Sequence, residues 1–436
     1  MTIPSRPRIC RGLPCRPEPS APWATISRGR GLACTAAIVA VLQVPTVAEI
    51  YRHAGRYHPA LLSLLLLATT AVAVYAVLTL TPRGPRWRRV ASSGSVTVAL
   101  LGAISALGVV LRLHEEALHR AGGGASQADA MIQTALALFH GHSMYDLVLP
   151  GGPIAGPPSP GPAWVALNAP FALLHVYGLM IPFWMALVAV TFRRVYRAGL
   201  EVNVGMALLF SSPHLYKEMT EGQDTVAFCL ALLLVVAAAD RWLTPIHPVG
   251  WSGSLLAAGT TRWRTGLVLA VVVGAFAGVL ATARIIYLPL PILIGLFVWR
   301  RNRLQGAVVA GVGVSLGVAA NLVAAIGVNP YPPAHLFGRA SQAEPTLNIA
   351  VGAVATAVVV VVMLWRRGTG MVSWLVWLAA CVAVPHAFIG IGELEGRHFA
   401  YYGWEGANYL FVGAVMVVVA VLADRAASAT PPAGPP

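Results

Sequence analysis

Ionisable and aromatic residues gather in a few short stretches of this sequence, and each stretch admits a chemical use and a plainer structural one. The first follows Leu-His-Glu-Glu and the glycine run Gly122 to Gly124. It reads Ser126-Gln-Ala-Asp129-Ala-Met-Ile-Gln-Thr-Ala-Leu-Ala-Leu-Phe-His140-Gly-His142-Ser-Met-Tyr145-Asp146. Met131, Ile132, Ala135, Leu136, Leu138 and Phe139 recur at helical spacing, which predicts an amphipathic helix lying at a membrane surface with Asp129 in its first turn. A carboxylate there can take a proton from a substrate hydroxyl. The plainer use is capping, by Asp129 or Ser126. The Pro/Gly-rich stretch from Pro150 to Pro162, leading to Trp164, Asn168 and Pro170, reads equally as the wall of a cleft or as a surface linker.

A second patch runs from Ser211 to Asp224 between two apolar stretches and holds His214, Tyr216, Lys217, Glu218, Glu221 and Gln223. Lys217 is the chain's lysine; all other basic charge outside histidine is arginine. His214, Lys217 and Gln223 suit a phosphate or a sugar, although a lone histidine at a membrane boundary is ordinarily a satisfied interfacial residue. Arg284 interrupts the apolar run from Leu267 to Phe297, where an unpaired arginine costs ~2.5 kcal/mol or more. An ion pair or snorkelling accounts for it without any function. Tyr287, Pro289 and Pro291, which follow, point instead to a broken helix lining a cavity and to an anion site. The last patch, Glu393 to Glu405, carries Glu395, Arg397, His398, Tyr401, Tyr402 and Trp404; its aromatics form an interfacial belt or stack on sugar rings.

The elements that must position these residues are apolar helices. The chain has 436 residues, of which 57% are hydrophobic and 11% charged, with a mean hydropathy of +0.71, values that exclude a soluble globular domain. Stretches long enough to cross a hydrocarbon core, which takes about 20 helical residues, recur at 32–49, 59–81, 91–112, 171–192, 199–212, 224–240, 265–283, 285–299, 305–327, 348–365, 372–391 and 407–423. The expectation is an all-α polytopic transmembrane protein of about twelve spans, within a range of about ten to fourteen. Residues 1–31, rich in arginine and proline, read as a disordered cytoplasmic leader, 32–425 as the transmembrane domain and 426–436 as a disordered tail.

The net charge of +14 and isoelectric point near 10.2 do not signal nucleic acid, because the arginines sit in short clusters between apolar stretches. With the leader inside, the clusters at Arg83 to Arg89, Arg193 to Arg197, Arg241 to Arg264, Arg300 to Arg303 and Arg366 to Arg367 all fall on the cytoplasmic side. Both termini are then cytoplasmic, and the patches containing Asp129, His214, Arg284 and Arg397 all face outward. Cys10, Cys15, Cys34, Cys229 and Cys381 read as free thiols, and no residues have metal-ligand spacing. The Gly-Leu-Ala-Cys ending at Cys34 has its apolar run on the wrong side for a lipidation signal.

These residues together resemble the GT-C superfamily of integral membrane glycosyltransferases, in particular the bacterial polyprenol-phosphate-mannose-dependent mannosyltransferases. The resemblance rests on Asp129 ahead of a helix and Gly141-His-Ser-Met-Tyr145, then a proline-rich loop and an apolar span. It rests also on Glu221-Gly222-Gln223-Asp224, similar to that family's Gly-Gln-Asn signature but with Asp224 for the asparagine, and on the outer Arg284 followed by Arg300-Arg301. It covers roughly residues 110–425, and two spans precede Asp129 where the family has the acid in the first outer loop.

The resemblance implies an inverting transfer of a sugar, mannose or a pentose, from a polyprenyl-phosphate donor to a cell-envelope glycan or glycolipid at the outer face of the plasma membrane. Asp129 would be the catalytic base. Arg284, Lys217, His214 and Arg397 would stabilise the leaving phosphate, and His140, Tyr145, Asp146, Gln223, Asp224, Tyr287, His398 and Tyr402 would bind sugar or acceptor. No cofactor or structural metal is expected, with room left for a loosely held divalent cation. Two rival readings are a secondary transporter, which would carry its polar groups near the bilayer midplane, and a non-catalytic partner of an envelope-synthesis complex.

Overall fold

The computed structural model describes residues 58–79, 89–121, 128–147, 158, 160–243, 256–284 and 287–326, with scattered positions at 39, 43, 47, 351–362 and 378. Every regular element among them is helical: α1 (Pro59–Thr79), α2 (Gly94–Arg120), α3 (Asp129–Phe139), α4 (Pro162–Leu173), α5 (Met180–Val195), α6 (Gly199–Phe210), α7 (Pro213–Glu221), α8 (Thr225–Trp242), α9 (Leu256–Ala281), α10 (Leu290–Trp299) and α11 (Arg303–Ala324). Short 3-10 turns occupy Met144–Asp146 and Tyr177–Leu179. Five segments are long and apolar enough to cross a membrane: Gly94–Arg120, Tyr177–Val195, Thr225–Trp242, Arg264–Ala281 and Arg303–Ala324. The described part is therefore a multi-pass membrane protein by length and composition.

Local sequence sets the helix ends. Ser93 caps α2 by accepting the Val96 N–H, and Asn302 caps α11 by accepting the Gln305 N–H at 3.1 Å. Pro162 and Pro213 stand in the first turns of α4 and α7, where a missing N–H costs nothing. Gly222 ends α7 in the left-handed conformation.

In lipid, helices associate through close packing rather than through hydrophobic transfer, so small residues matter at their contacts. A methyl group on Gly278 of α9 would fall 2.6 Å from the Gly313 carbonyl oxygen of α11. Similarly, α2 meets the Tyr177–Leu179 turn where Gly108 and Gly178 face each other, backbone against backbone. The apolar helix α8 is the most enclosed, with Val226 to Leu233 buried without interruption.

The helices run between two polar ends. Asp224 holds the N-cap position of α8 and Asp240 lies in its last turn, about 24 Å apart by helical rise, and each pairs with an arginine of the following chain, Arg284 at one end and Arg301 at the other. Along α2, Thr97 donates to Asn203 Oδ1 at 2.6 Å near one end while Arg112 reaches the Thr220 carbonyl near the other.

These contacts correct two of the expected spans. The 199–212 stretch is a 12-residue helix that rises only about 18 Å, short of a full crossing, and the chain breaks at Ser211 and Ser212 before the polar α7 begins. The 285–299 stretch narrows to the 10-residue α10, because Pro289 and Pro291 place the helix start late. The long polar segment also shrinks from both sides, since α2 continues past Arg112 to Arg120 and α4 begins at Pro162. The leader 1–31, the tail 426–436 and the expected spans after residue 327, apart from those scattered positions, lie outside the described residues.

Candidate functional site

The site end is organised by the turn between α7 and α8. Gly222 sits at φ +70°, and the Gln223 N–H donates back to the Glu218 carbonyl at 2.9 Å. Tyr177 donates its hydroxyl to the Gly222 carbonyl at 3.1 Å. A methyl group on Gly222 would fall 2.6 Å from Ala128 Cβ and 3.1 Å from Tyr177 Cε1. That close approach brings the start of α3, with Asp129 as its first residue, against the Glu221-Gly222-Gln223-Asp224 turn.

Asp224 occupies the N-cap position of α8 yet makes no capping bond with its side chain. Its carboxylate is used elsewhere. Arg284 Nη2 donates to Oδ1 at 2.6 Å and Nη1 to Oδ2 at 3.0 Å, a two-pronged pair, and Trp164 Nε1 donates to Oδ2 at 2.6 Å. The pair is largely withdrawn from solvent, with 18% of the Arg284 and 5% of the Asp224 side chain exposed. Arg284 Nη1 also donates to the Ala283 carbonyl at 2.7 Å. Thr282 fixes the other side: its carbonyl accepts the Gly161 N–H at 2.8 Å and its hydroxyl the Trp164 N–H at 2.9 Å. Trp164 stacks on Trp184, and Trp184 Nε1 donates to Asn168 Oδ1 at 3.0 Å. The segment read from sequence as cleft wall or linker thus enters, at Pro162, a partly buried helix that delivers Trp164 to the ion pair. For Arg284 the plainer reading, an ion pair, describes its contacts.

Asp129 is not a cap. Ala128 holds that position without a side-chain bond, leaving Asp129 in the first turn, where the helix dipole favours its charge. Ser126 lies outside the described residues. Oδ2 of Asp129 stands 3.4 Å from His119 Nε2 at the end of α2. α3 packs along α4, and His140 caps its far end with Nδ1 2.8 Å from the Leu136 carbonyl, exposed and about 16 Å from Asp129 by helical rise. Tyr145 is buried on the 3-10 turn beyond it, which also holds Asp146.

On α7, His214 and Glu218 are one turn apart and fully buried, with Nε2 3.5 Å from Oε1, and Thr225 donates its hydroxyl to Glu218 Oε2. His214 therefore supports the turn from within and presents no exposed surface to a donor. Lys217 is half-buried on the same helix. Burial pushes the Tyr216 hydroxyl above the usual tyrosine range. Gln223 donates to Glu221 Oε2 at 2.6 Å. Tyr287 is buried and stacks on Phe228 with ring centroids 4.3 Å apart.

The structure thus gathers Asp129, Gln223, Asp224 and Arg284 around one turn, buries His214 and Tyr287 behind it, and sets His140, Tyr145 and Asp146 at the far end of α3. Arg397, His398 and Tyr402 lie outside the described residues. Residues that sequence reasoning left without a role are His119, Trp164, Tyr177, Glu218 and Thr282. Glu218 had a signal, its one-turn spacing from His214; His119 and Thr282 had none. Among the described residues no three His, Cys, Asp or Glu side chains form a metal-holding group.

Among the described residues the opposite end has no comparable cluster of carboxylates. There Arg193 donates to the Ser92, Ser93 and Gly199 carbonyls and to Thr97, and Asp240 takes Arg301 and the Tyr196 hydroxyl. Burial and the Asp240 charge push the Tyr196 hydroxyl well above its ordinary range. No family model, curated protein or solved structure matches this chain.

Proposed function

We propose that the chain is an integral membrane glycosyltransferase of GT-C type that transfers a sugar, mannose in the first instance, from a polyprenyl-phosphate donor to a cell-envelope glycan or glycolipid. One observation carries the reading: the Ala128–Gly222 contact and the Asp224–Arg284 pair bring the acid, the Gly-Gln turn and the outer arginine to one end of the helix bundle, away from the Arg193 end. That end is the extracytoplasmic one in this proposal, the chain lies in the plasma membrane and both termini are cytoplasmic, following the arginine clusters. Polar groups at a bundle end suit a lipid headgroup held at the interface better than a solute passing the midplane.

In the reaction, Asp129 accepts the proton of the acceptor hydroxyl as that oxygen bonds to the anomeric carbon. The bond from that carbon to the phosphate oxygen breaks with its electron pair, and polyprenyl phosphate leaves with an added negative charge. It needs cations more than a proton donor. Arg284 meets that need only in part, because its guanidinium already donates to Asp224 and Ala283, so Lys217 and Arg397 are proposed to share the task. Gln223, His140, Tyr145, Asp146, His398 and Tyr402 are proposed to shape the sugar and acceptor sites.

The test is transfer from radiolabelled polyprenyl-phosphate mannose in membranes containing the wild type or Asp129→Asn. Loss of a general base predicts a fall of about 100-fold or more with insertion unchanged. Undiminished transfer by the variant removes Asp129 as the base, and solute exchange in a counterflow assay supports the transporter instead.

A further inference from the structure

We propose that His119 is the positioning residue of Asp129, a step that rests on the glycosyltransferase reading and adds to it a second side chain at the proton-accepting centre. The two residues come from different elements, the last turn of α2 and the first turn of α3. Nε2 of His119 lies 3.4 Å from Oδ2 of Asp129, and the two side chains remain 49% and 25% exposed. Among the described residues they form a histidine–carboxylate pair at this end that solvent reaches, whereas Asp224 is committed to Arg284 and Trp164, and His214 and Glu218 are enclosed.

A carboxylate in the first turn of a helix turns about its side-chain bonds unless something holds it, and a base must present one oxygen to the incoming hydroxyl. In the proposed arrangement the 3.4 Å approach of Nε2 to Oδ2 closes into a hydrogen bond donated by His119, which leaves Oδ1 to receive the acceptor proton. The histidine touches neither sugar nor acceptor and takes no proton in the step; it fixes the direction of the base. α2 itself is held against the turn by the Arg112 contact to the Thr220 carbonyl, so His119 and the Gly222 turn approach Asp129 from a common support.

Membranes carrying His119→Ala, His119→Gln or Asp129→Asn are assayed with polyprenyl-phosphate mannose as donor and octyl α-mannoside as acceptor. His119→Ala lowers kcat about 10-fold, with KM for both substrates within about twofold, since orientation and not binding is lost. Glutamine places an amide N–H near the position of Nε2, so His119→Gln stays within about twofold of the wild type. A merely structural histidine gives neither the kcat-only loss nor the rescue. Detergent-extracted protein is compared by gel filtration, and His119→Ser replaces the alanine variant if that one fails to extract as a single species.

Wild-type kcat in His119→Ala, alongside an inactive Asp129→Asn, overturns this inference and leaves the glycosyltransferase reading standing. So does His119→Gln as slow as His119→Ala, or a change confined to KM. An active Asp129→Asn, or no transfer by the wild type, overturns the reading itself and this inference with it.

Discussion

The contact between Gly222 and Ala128 gives the sharpest energetic test of the site. Replacing Gly222 by alanine imposes two separate costs. The residue sits at φ +70°, and a side chain in the left-handed region costs about 1–2 kcal/mol. The new methyl would also stand 2.6 Å from Ala128 Cβ and 3.1 Å from Tyr177 Cε1, with Ala128 fully buried, so one neighbour must move; overpacking of this kind costs about 1–3 kcal/mol. The sum, about 2–5 kcal/mol, is read by reversible unfolding in mixed detergent micelles. Gly222→Ala combined with Ala128→Gly removes the nearest obstructing atom and should recover about 1 kcal/mol or more, while the backbone cost remains. Ala128→Gly alone is mild, since glycine is the better N-cap. A Gly222→Ala protein as stable as the wild type, or a double variant no better than the single one, refutes the argument that this contact holds α3 against the turn.

Further outcomes follow from other contacts. Asp224→Ala strands Arg284 and the Trp164 N–H in a largely buried place and should cost about 3–5 kcal/mol in the same unfolding assay; Asp224→Asn should recover only part of that, because its one amide oxygen still accepts while its NH2 group opposes an Arg284 donor and the guanidinium charge stays uncompensated. Arg193→Lys should lose about 1–3 kcal/mol, because an ammonium cannot span the Ser92, Gly199 and Thr97 acceptors that the guanidinium fork reaches. Cysteines introduced at the exposed His140 and Arg197 should be labelled by an impermeant maleimide from opposite sides of sealed vesicles; labelling from one side contradicts the two-ended arrangement. Cys229, buried in α8, should resist a permeant maleimide until the protein is unfolded.

Much of this architecture is legible in the residue pattern because each feature is local. Thr225–Trp242 and Arg303–Ala324 lie where their apolar runs put them, and the Met131 to Phe139 spacing yields α3. The helix breaks are less legible. Apolar character continues through Phe210 and through Ile285 to Leu290, and hydropathy does not register that Ser211-Ser212-Pro213 or Pro289 interrupts the hydrogen-bond ladder. Least legible are the partners. Asp224 finds Arg284 sixty positions away, Trp164 finds the same carboxylate from the other direction, and His119 finds Asp129 from a different helix; no periodicity encodes such meetings. For the same reason Asp129 looks like a cap until Ala128 is seen in that position.

The grip of Arg193 on three backbone carbonyls bears on how the chain reaches its orientation during biosynthesis. A guanidinium keeps its proton at any pH a cell offers, so this anchor cannot be neutralised for passage. Turning the bundle over would mean stripping those carbonyls and dragging the cation through hydrocarbon, at ~2.5 kcal/mol or more for that one residue. Each cation anchored in this way adds its own cost to turning the bundle over, so the Arg193 contacts weigh toward whichever orientation the chain first adopts.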